Sequence, residues 1–250
     1  MSGRVDLNCD MGEGMGRDGD LMPHITSASI ACGAHAGDAE TMRETLLLAA
    51  RHHVAAGAHP GYPDREGFGR RSMEMTPGEI YQCVVDQISA LCAAARDAGV
   101  PVAHVKPHGA LYTDAAADPH VARAVVRAVS DTDPNLLLYG LAGSGIITEA
   151  ERVGIRPIAE AFADRSYQED GTLTPRSEPD AMIDDPVAAA VRVLRMVRDQ
   201  RVGAASGAEL TLSAQTICIH GDGPHAVAIA RAARAALLEA GIRVAAPGVA

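Results

Sequence analysis

The chain has 250 residues, with 22 Lys and Arg against 32 Asp and Glu, a formal charge of −10 with its ten His neutral. That acidic balance excludes a basic nucleic-acid footprint, and two Phe, five Tyr and no Trp leave too few rings for a base-stacking platform. At 47% hydrophobic and 22% charged, the composition is that of a globular protein with an aliphatic core and not of a disordered chain.

Five cysteines (Cys9, Cys32, Cys83, Cys92 and Cys218) form an odd set without a CxxC pair, and the first thirty residues carry no basic-then-apolar signal pattern. Both features predict reducing conditions and a cytoplasmic location. Cys83 and Cys92 lie on one predicted helix, where nine steps of about 100° set them on opposite faces. No apolar run reaches the ~18 residues of a membrane span, so no membrane role is expected.

Short apolar runs recur along the chain: Val5 to Cys9, Ala28 to Cys32, Val54 to Ala58, Val102 to Val105, Leu136 to Leu141, Ile155 to Ala159, Thr216 to Ile219 and Arg243 to Ala246. Most intervening segments have helical patterning. Thr76-Pro77, Asp118-Pro119, Asp185-Pro186 and Gly223-Pro224 each place a capping residue before Pro at a first helical position, and Thr76 with Glu79 fits a capping box. Gly57, Gly99, Gly154 and Gly241 are expected as left-handed helix ends. Strand and helix repeated seven or eight times predict one α/β domain over residues 1–250, a (β/α) barrel of parallel strands, with an open doubly wound sheet as the alternative. Ala161 to Asp184 lacks periodicity and reads as a loop excursion over the site.

Polar residues gather just after these runs, and in a barrel the C-terminal strand ends converge on one mouth. Alternation puts Asp6, Asn8 and Asp10 on one face of the first strand. Asp6 reads equally as a buried, hydrogen-bonded group, Asp10 as functional, and Glu13 as a second carboxylate or a turn residue. His35, His59, His108 and His220 follow four separate strands, near Asp38, Asp64, Lys106 and Asp222. Asp38 and Asp222 could equally cap the helices that follow. Lys106 is expected to join His108 inside only if the Pro107 turn breaks the alternation. Once inside, it would stay charged beside carboxylates and hold an anion. Arg165 beside Asp164 is a further anion contact, as are Arg70 and Arg71, for which a surface or intersubunit contact is the alternative.

Gly140 to Gly145 could cradle an anion or pack backbone closely, and no G-x-x-x-x-G-K-[ST] loop occurs anywhere. Asp and His after adjacent strands suit a mixed nitrogen and oxygen metal site, but HExxH, HxH and Cys/His finger spacings are absent, so a metal stays open.

Six motifs, DLNCDMGEG, SASIACGAHAGD, GAHPGYPDREGFGRR, HVKPHGALY, EAFADRSYQEDGTL and ICIHGD, together resemble the LamB/YcsF family along nearly the whole chain. Cys9 and Ala34 depart from the family's more usual Ala and a larger residue, and neither change removes a candidate group. The resemblance implies a distorted TIM-like barrel, related to the glycoside hydrolase and deacetylase barrels. It implies service as the A component of an ATP-dependent 5-oxoprolinase that opens 5-oxo-L-proline (pyroglutamate) to L-glutamate with separate subunits B and C. ATP would be used by that complex, in keeping with the missing phosphate loop. The deacetylase relatives hold a divalent metal through Asp and His; here His35 and Asp38 are three apart.

On this reading Asp10, His35, Asp38, His59, Lys106, His108 and His220 carry the chemistry, with Asp10 the leading general base. Asn8, Glu13, Asp64, Glu160, Asp164, Arg165 and Asp222 contact the substrate. Alternatives are a free-standing metal-dependent amidase or deacetylase and a non-catalytic lactam-binding subunit. Self-association is left open.

Overall fold

The computed structural model describes residues 3–248; the ends of the expected 1–250 domain, residues 1–2 and 249–250, lie outside the described residues. In chain order the elements are β1 (Arg4–Met11), α1 (Asp18–Leu21) with a 3-10 turn at Met22–His24, β2 (Ser27–Ala31), α2 (Ala39–Arg51), β3 (Ala55–His59), α3 (Pro77–Ala98) and β4 (Val102–Val105). They continue with α4 (Gly109–Ala117), α5 (Pro119–Thr132), β5 (Leu137–Leu141), α6 (Gly145–Val153), β6 (Pro157–Phe162) and α7 (Pro186–Arg198). The last are β7 (Arg201–Gly203), β8 (Glu209–Thr211), β9 (Thr216–Ile219), α8 (Ala226–Glu239) and β10 (Arg243–Val244).

Seven parallel strands close in the order β1-β2-β3-β4-β5-β6-β9, with β9 pairing back onto β1, and β10 extends the sheet by pairing with Arg4 and Val5. All eight predicted apolar runs therefore become strands, and the open-sheet alternative falls away. The antiparallel β7–β8 hairpin is additional; with three residues per strand it is too short to carry a readable alternation.

Helix starts follow their predicted chemistry at Thr76, which forms the full capping box with Glu79, and at Asp118 and Asp185, whose carboxylates accept from His120 N and Val187 N. The fourth does not: α8 begins at Ala226, after His225, so Gly223-Pro224 belong to the preceding turn. Gly99 and Gly154 take the left-handed helix ends. Gly57 instead lies inside β3, because a Cβ there would stand 2.3 Å from the His104 ring; the left-handed residue after α2 is His53, at φ 56°. Gly140 is likewise a packing glycine, where a Cβ would meet Ile146 at 2.6 Å.

The barrel interior is polar along its axis. At its base Asp6 accepts from Thr26, Ser27, Tyr139 and Thr216, so it is a structural group; burial raises its pKa against those four bonds. Thr216 Oγ1 in turn accepts from Asn8 Nδ2 at 2.8 Å, and Asn8 Nδ2 also donates to Glu160. His104 sits beside this column, 3.2 Å from Ser29 and stacked on Tyr139. Burial, with help from the Lys106 and His59 charges, pulls its pKa down to about 3.

His104 is thus neutral in the fold at pH values where the unfolded chain's imidazole is charged. Between about 6.5 and about 3 the unfolded state binds the extra proton, so stability falls as pH falls through this window. His104→Gln should remove a slope of up to about 1.4 kcal/mol per pH unit from that limb. Urea unfolding of both proteins across the window reads it.

Candidate functional site

At the C-terminal strand ends a cavity of about 430 Å³ opens, a volume suited to a small molecule. Its floor and one wall come from Asp10, Glu13, His59, Lys106, His108 and His220, and its rim from Arg70, Arg165, Arg176 and Asp222. Five loops that are distant in sequence meet here because parallel strands all deliver their C-terminal ends to the same side.

Lys106 is the centre of the floor. Its ammonium donates to Asn8 Oδ1 at 3.0 Å and Asp10 Oδ1 at 2.9 Å, and lies 2.9 Å from Glu160 Oε1 and 3.1 Å from Cys218 Sγ. No break in alternation is needed for this, contrary to expectation: His104, Lys106 and His108 are two apart and share the inward side, as the strand period dictates. Burial alone would pull the Lys106 pKa down, but the Asp10 charge outweighs it and holds the amine protonated. Asp10 mirrors this. Burial would raise it, yet His59 and Lys106 hold it well below the usual carboxylate range.

Beside Asp10 stands a histidine cluster. His59 Nε2 is 3.4 Å from Asp10 Oδ2, 3.7 Å from Glu13 Oε1 and 2.9 Å from His108 Nδ1. Glu13 Oε1 is 3.2 Å from both His35 Nε2 and His108 Nδ1, and the His35 and His108 rings stack at 3.7 Å. Burial lowers His108 and brings His35 to about 4, against the pull of Glu13, whereas the Asp10 charge overcomes burial at His59 and raises it. Glu13 is lowered despite burial by its bonds to His108 and His35. Glu13, His35, His59 and His108 each offer one ligand atom, all within 4.8 Å of one another, and are the residues able to hold a metal; Asp10, Cys218 and His220 form a second such group.

His220 has a different setting. Its Nδ1 lies 2.9 Å from Asp164 Oδ1, its backbone N–H donates to Asp164 Oδ2, and its ring stacks on Phe162. Asp164 is buried, and the His220 charge and bonds keep its pKa low against that burial. Across the cavity, Arg165 is anchored by donating to Ala181 O and Thr174 O, and burial draws its pKa down to about 10. Arg70 and Arg176 both pair with Asp222.

The expected residues thus divide. Asp10, Glu13, His59, Lys106, His108, Arg165, His220 and Asp222 line the cavity, and His35 packs directly behind His108. Asn8, Glu160 and Asp164 do not line it; they lie buried one layer back and hold Lys106 and His220. Asp38 and Asp64 are outside. Asp38 spends its carboxylate capping α2 through Thr41 N, and Asp64 pairs with Arg71. Arg176, Leu173 and Cys218 were not anticipated; the first two lie in the unpatterned excursion, and Cys218 reads as core in an apolar strand.

The LamB/YcsF family pattern matches residues 5–249, and the chain belongs to that family. It is 52% identical to the A component of 5-oxoprolinase from Tolumonas auensis over 246 residues, covering 96% of this chain and 98% of the other. The crystal structure of a lactam utilization protein from Thermus thermophilus superposes with a TM-score of 0.91 at 46% identity, covering 97% of this chain and 99% of that one. A T48 deacetylase shares the fold alone, at a TM-score of 0.51 and 14% identity, with 97% and 87% covered.

Removing the floor's cation leaves buried carboxylates without a partner. Lys106→Met should destabilise the protein by about 3–5 kcal/mol at neutral pH, measured by urea unfolding.

Proposed function

We propose that this chain is the ring-opening component of an ATP-dependent 5-oxoprolinase, acting in the cytoplasm with partner subunits that supply the ATP chemistry. The observation that carries this reading is His220 facing a small cavity with Asp164 holding it from behind, and fixed cations on the floor and rim. The likeness to a 5-oxoprolinase component and to a lactam utilization protein supports the substrate class.

A five-membered lactam is a resonance-stabilised amide, and its opening needs coupling to a downhill step. Phosphorylation of the amide oxygen supplies that coupling. Water then adds to the ring carbon, the C–N bond breaks as nitrogen takes a proton, and a γ-acyl phosphate remains. A second water releases phosphate and glutamate. In this scheme His220 is the proton carrier: Asp164 holds Nδ1, so Nε2 is the nitrogen presented to a bound molecule.

Asp10, expected from sequence as the base, is a poor acceptor once Lys106 and His59 have lowered its pKa. Its role is to keep Lys106 charged and placed. Lys106 and Arg165 then face the negative charge that develops on the phosphorylated lactam and its carboxylate. A metal, if bound by the histidine cluster, would add a Lewis acid at the same wall.

The experiment combines the chain with its partner subunits, ATP and 5-oxo-L-proline and follows glutamate. Asp164→Asn should lower kcat by about 100-fold or more while leaving the thermal melting point near wild type. Unchanged turnover, or glutamate formed without ATP and partners, overturns the proposal; the latter outcome identifies a free-standing amidase.

A further inference from the structure

We infer that Glu13, His59 and His108, with His35 Nε2 bonded to Glu13 from behind, form a binding site for one divalent transition-metal ion. The case rests on where the ring protons must be. His59 Nδ1 is 2.8 Å from the Lys106 carbonyl oxygen, and His108 Nε2 is 2.8 Å from the Phe68 carbonyl oxygen. Carbonyls only accept, so both protons sit on these outer nitrogens. The inner nitrogens, His59 Nε2 and His108 Nδ1, then point lone pairs at each other across 2.9 Å, with the Glu13 carboxylate 3.2 Å from the second. With both rings neutral, three lone-pair donors at such separations repel unless a cation, a metal ion or a proton, lies among them. One ion with bonds of about 2.1 Å to each nitrogen would meet the 2.9 Å separation at an angle of about 90°.

The surrounding bonds fit the same reading. A ligating imidazole commonly donates its other N–H to a carbonyl or carboxylate, which fixes its tautomer, and His59 and His108 both do so. Charge points the same way: Asp10 and Glu160 flank the buried Lys106 ammonium, and Glu13 is a further buried carboxylate whose neighbours are all imidazoles. Two imidazoles and one carboxylate suit Zn²⁺ or an ion of similar softness better than Mg²⁺ or Ca²⁺. Glu13, His59 and His108 also line the cavity, so the ion would be reached from the substrate side.

The competing occupant is a proton shared between His59 and His108. Purified chain, stripped with chelator and without ATP or partners, separates the two. On titration with Zn²⁺ and then Co²⁺, we expect one ion per chain by elemental analysis, visible Co²⁺ d–d absorption and a raised melting point. His108→Gln and Glu13→Gln should each weaken binding by about 100-fold or more, whereas Asp38→Asn should not change it. Should a variant fail to fold, X-ray absorption of the Co²⁺-loaded wild type must show two imidazole ligands. Absence of stoichiometric metal in the folded wild type, or undiminished binding by folded His108→Gln, overturns the inference. Because binding is read without turnover, this outcome is independent of the 5-oxoprolinase reading.

Discussion

An ammonium group sealed inside a protein keeps its charge only where carboxylates surround it, and the Lys106 site is built around that requirement. Lys106 is 2% exposed, and its partners arrive from other strands: Asn8 and Asp10 from β1, Glu160 from β6. Asn8 and Asp10 have further bonds committed in turn, Asn8 to Thr216 and Asp10 to the His59 side. The floor of the cavity and the polar axis of the barrel are therefore one connected object. Side chains that face the cavity are preorganised by the bonds that also join the strands, with little freedom left to reorganise.

That coupling explains how the roles sort by depth. Residues one layer below the cavity, Asn8, Glu160 and Asp164, hold orientation and charge, and residues at its surface are left to meet a ligand. His220 illustrates the division: its backbone N–H and Nδ1 both engage Asp164, so the ring's direction is set from behind. The histidine cluster is fixed by the same device through the backbone carbonyls of Lys106 and Phe68.

Much of this was legible in the sequence. The strand-loop-helix repeat and the polar clusters after apolar runs predict a barrel with one active mouth, and the capping residues at Thr76, Asp118 and Asp185 set three helix starts. Depth was not legible, because a two-residue period says which side a residue takes but not how far along the axis it lies; Asn8 and Asp10 share a face yet occupy different layers. Asp38 shows a second limit. Its helix-cap and site readings use the same carboxylate, and only the packed loop decides between them. Arg176 could not be found by pattern, since the stretch from Ala163 to Asp184 has no regular period and is organised by isolated bridges at Arg165–Met182 and Tyr167–Leu173.

That excursion between β6 and α7 has an evolutionary reading. It contributes Arg165, Leu173, Thr174, Pro175 and Arg176 to the cavity, while the opposing wall comes from rigid strand ends. The face that measures a ligand's outline is thus carried on one replaceable stretch of chain, apart from the buried ionic column. Insertions or exchanges there would change the outline of the molecule the cavity admits while the Lys106 column stays intact, a separation that lets a single scaffold diversify.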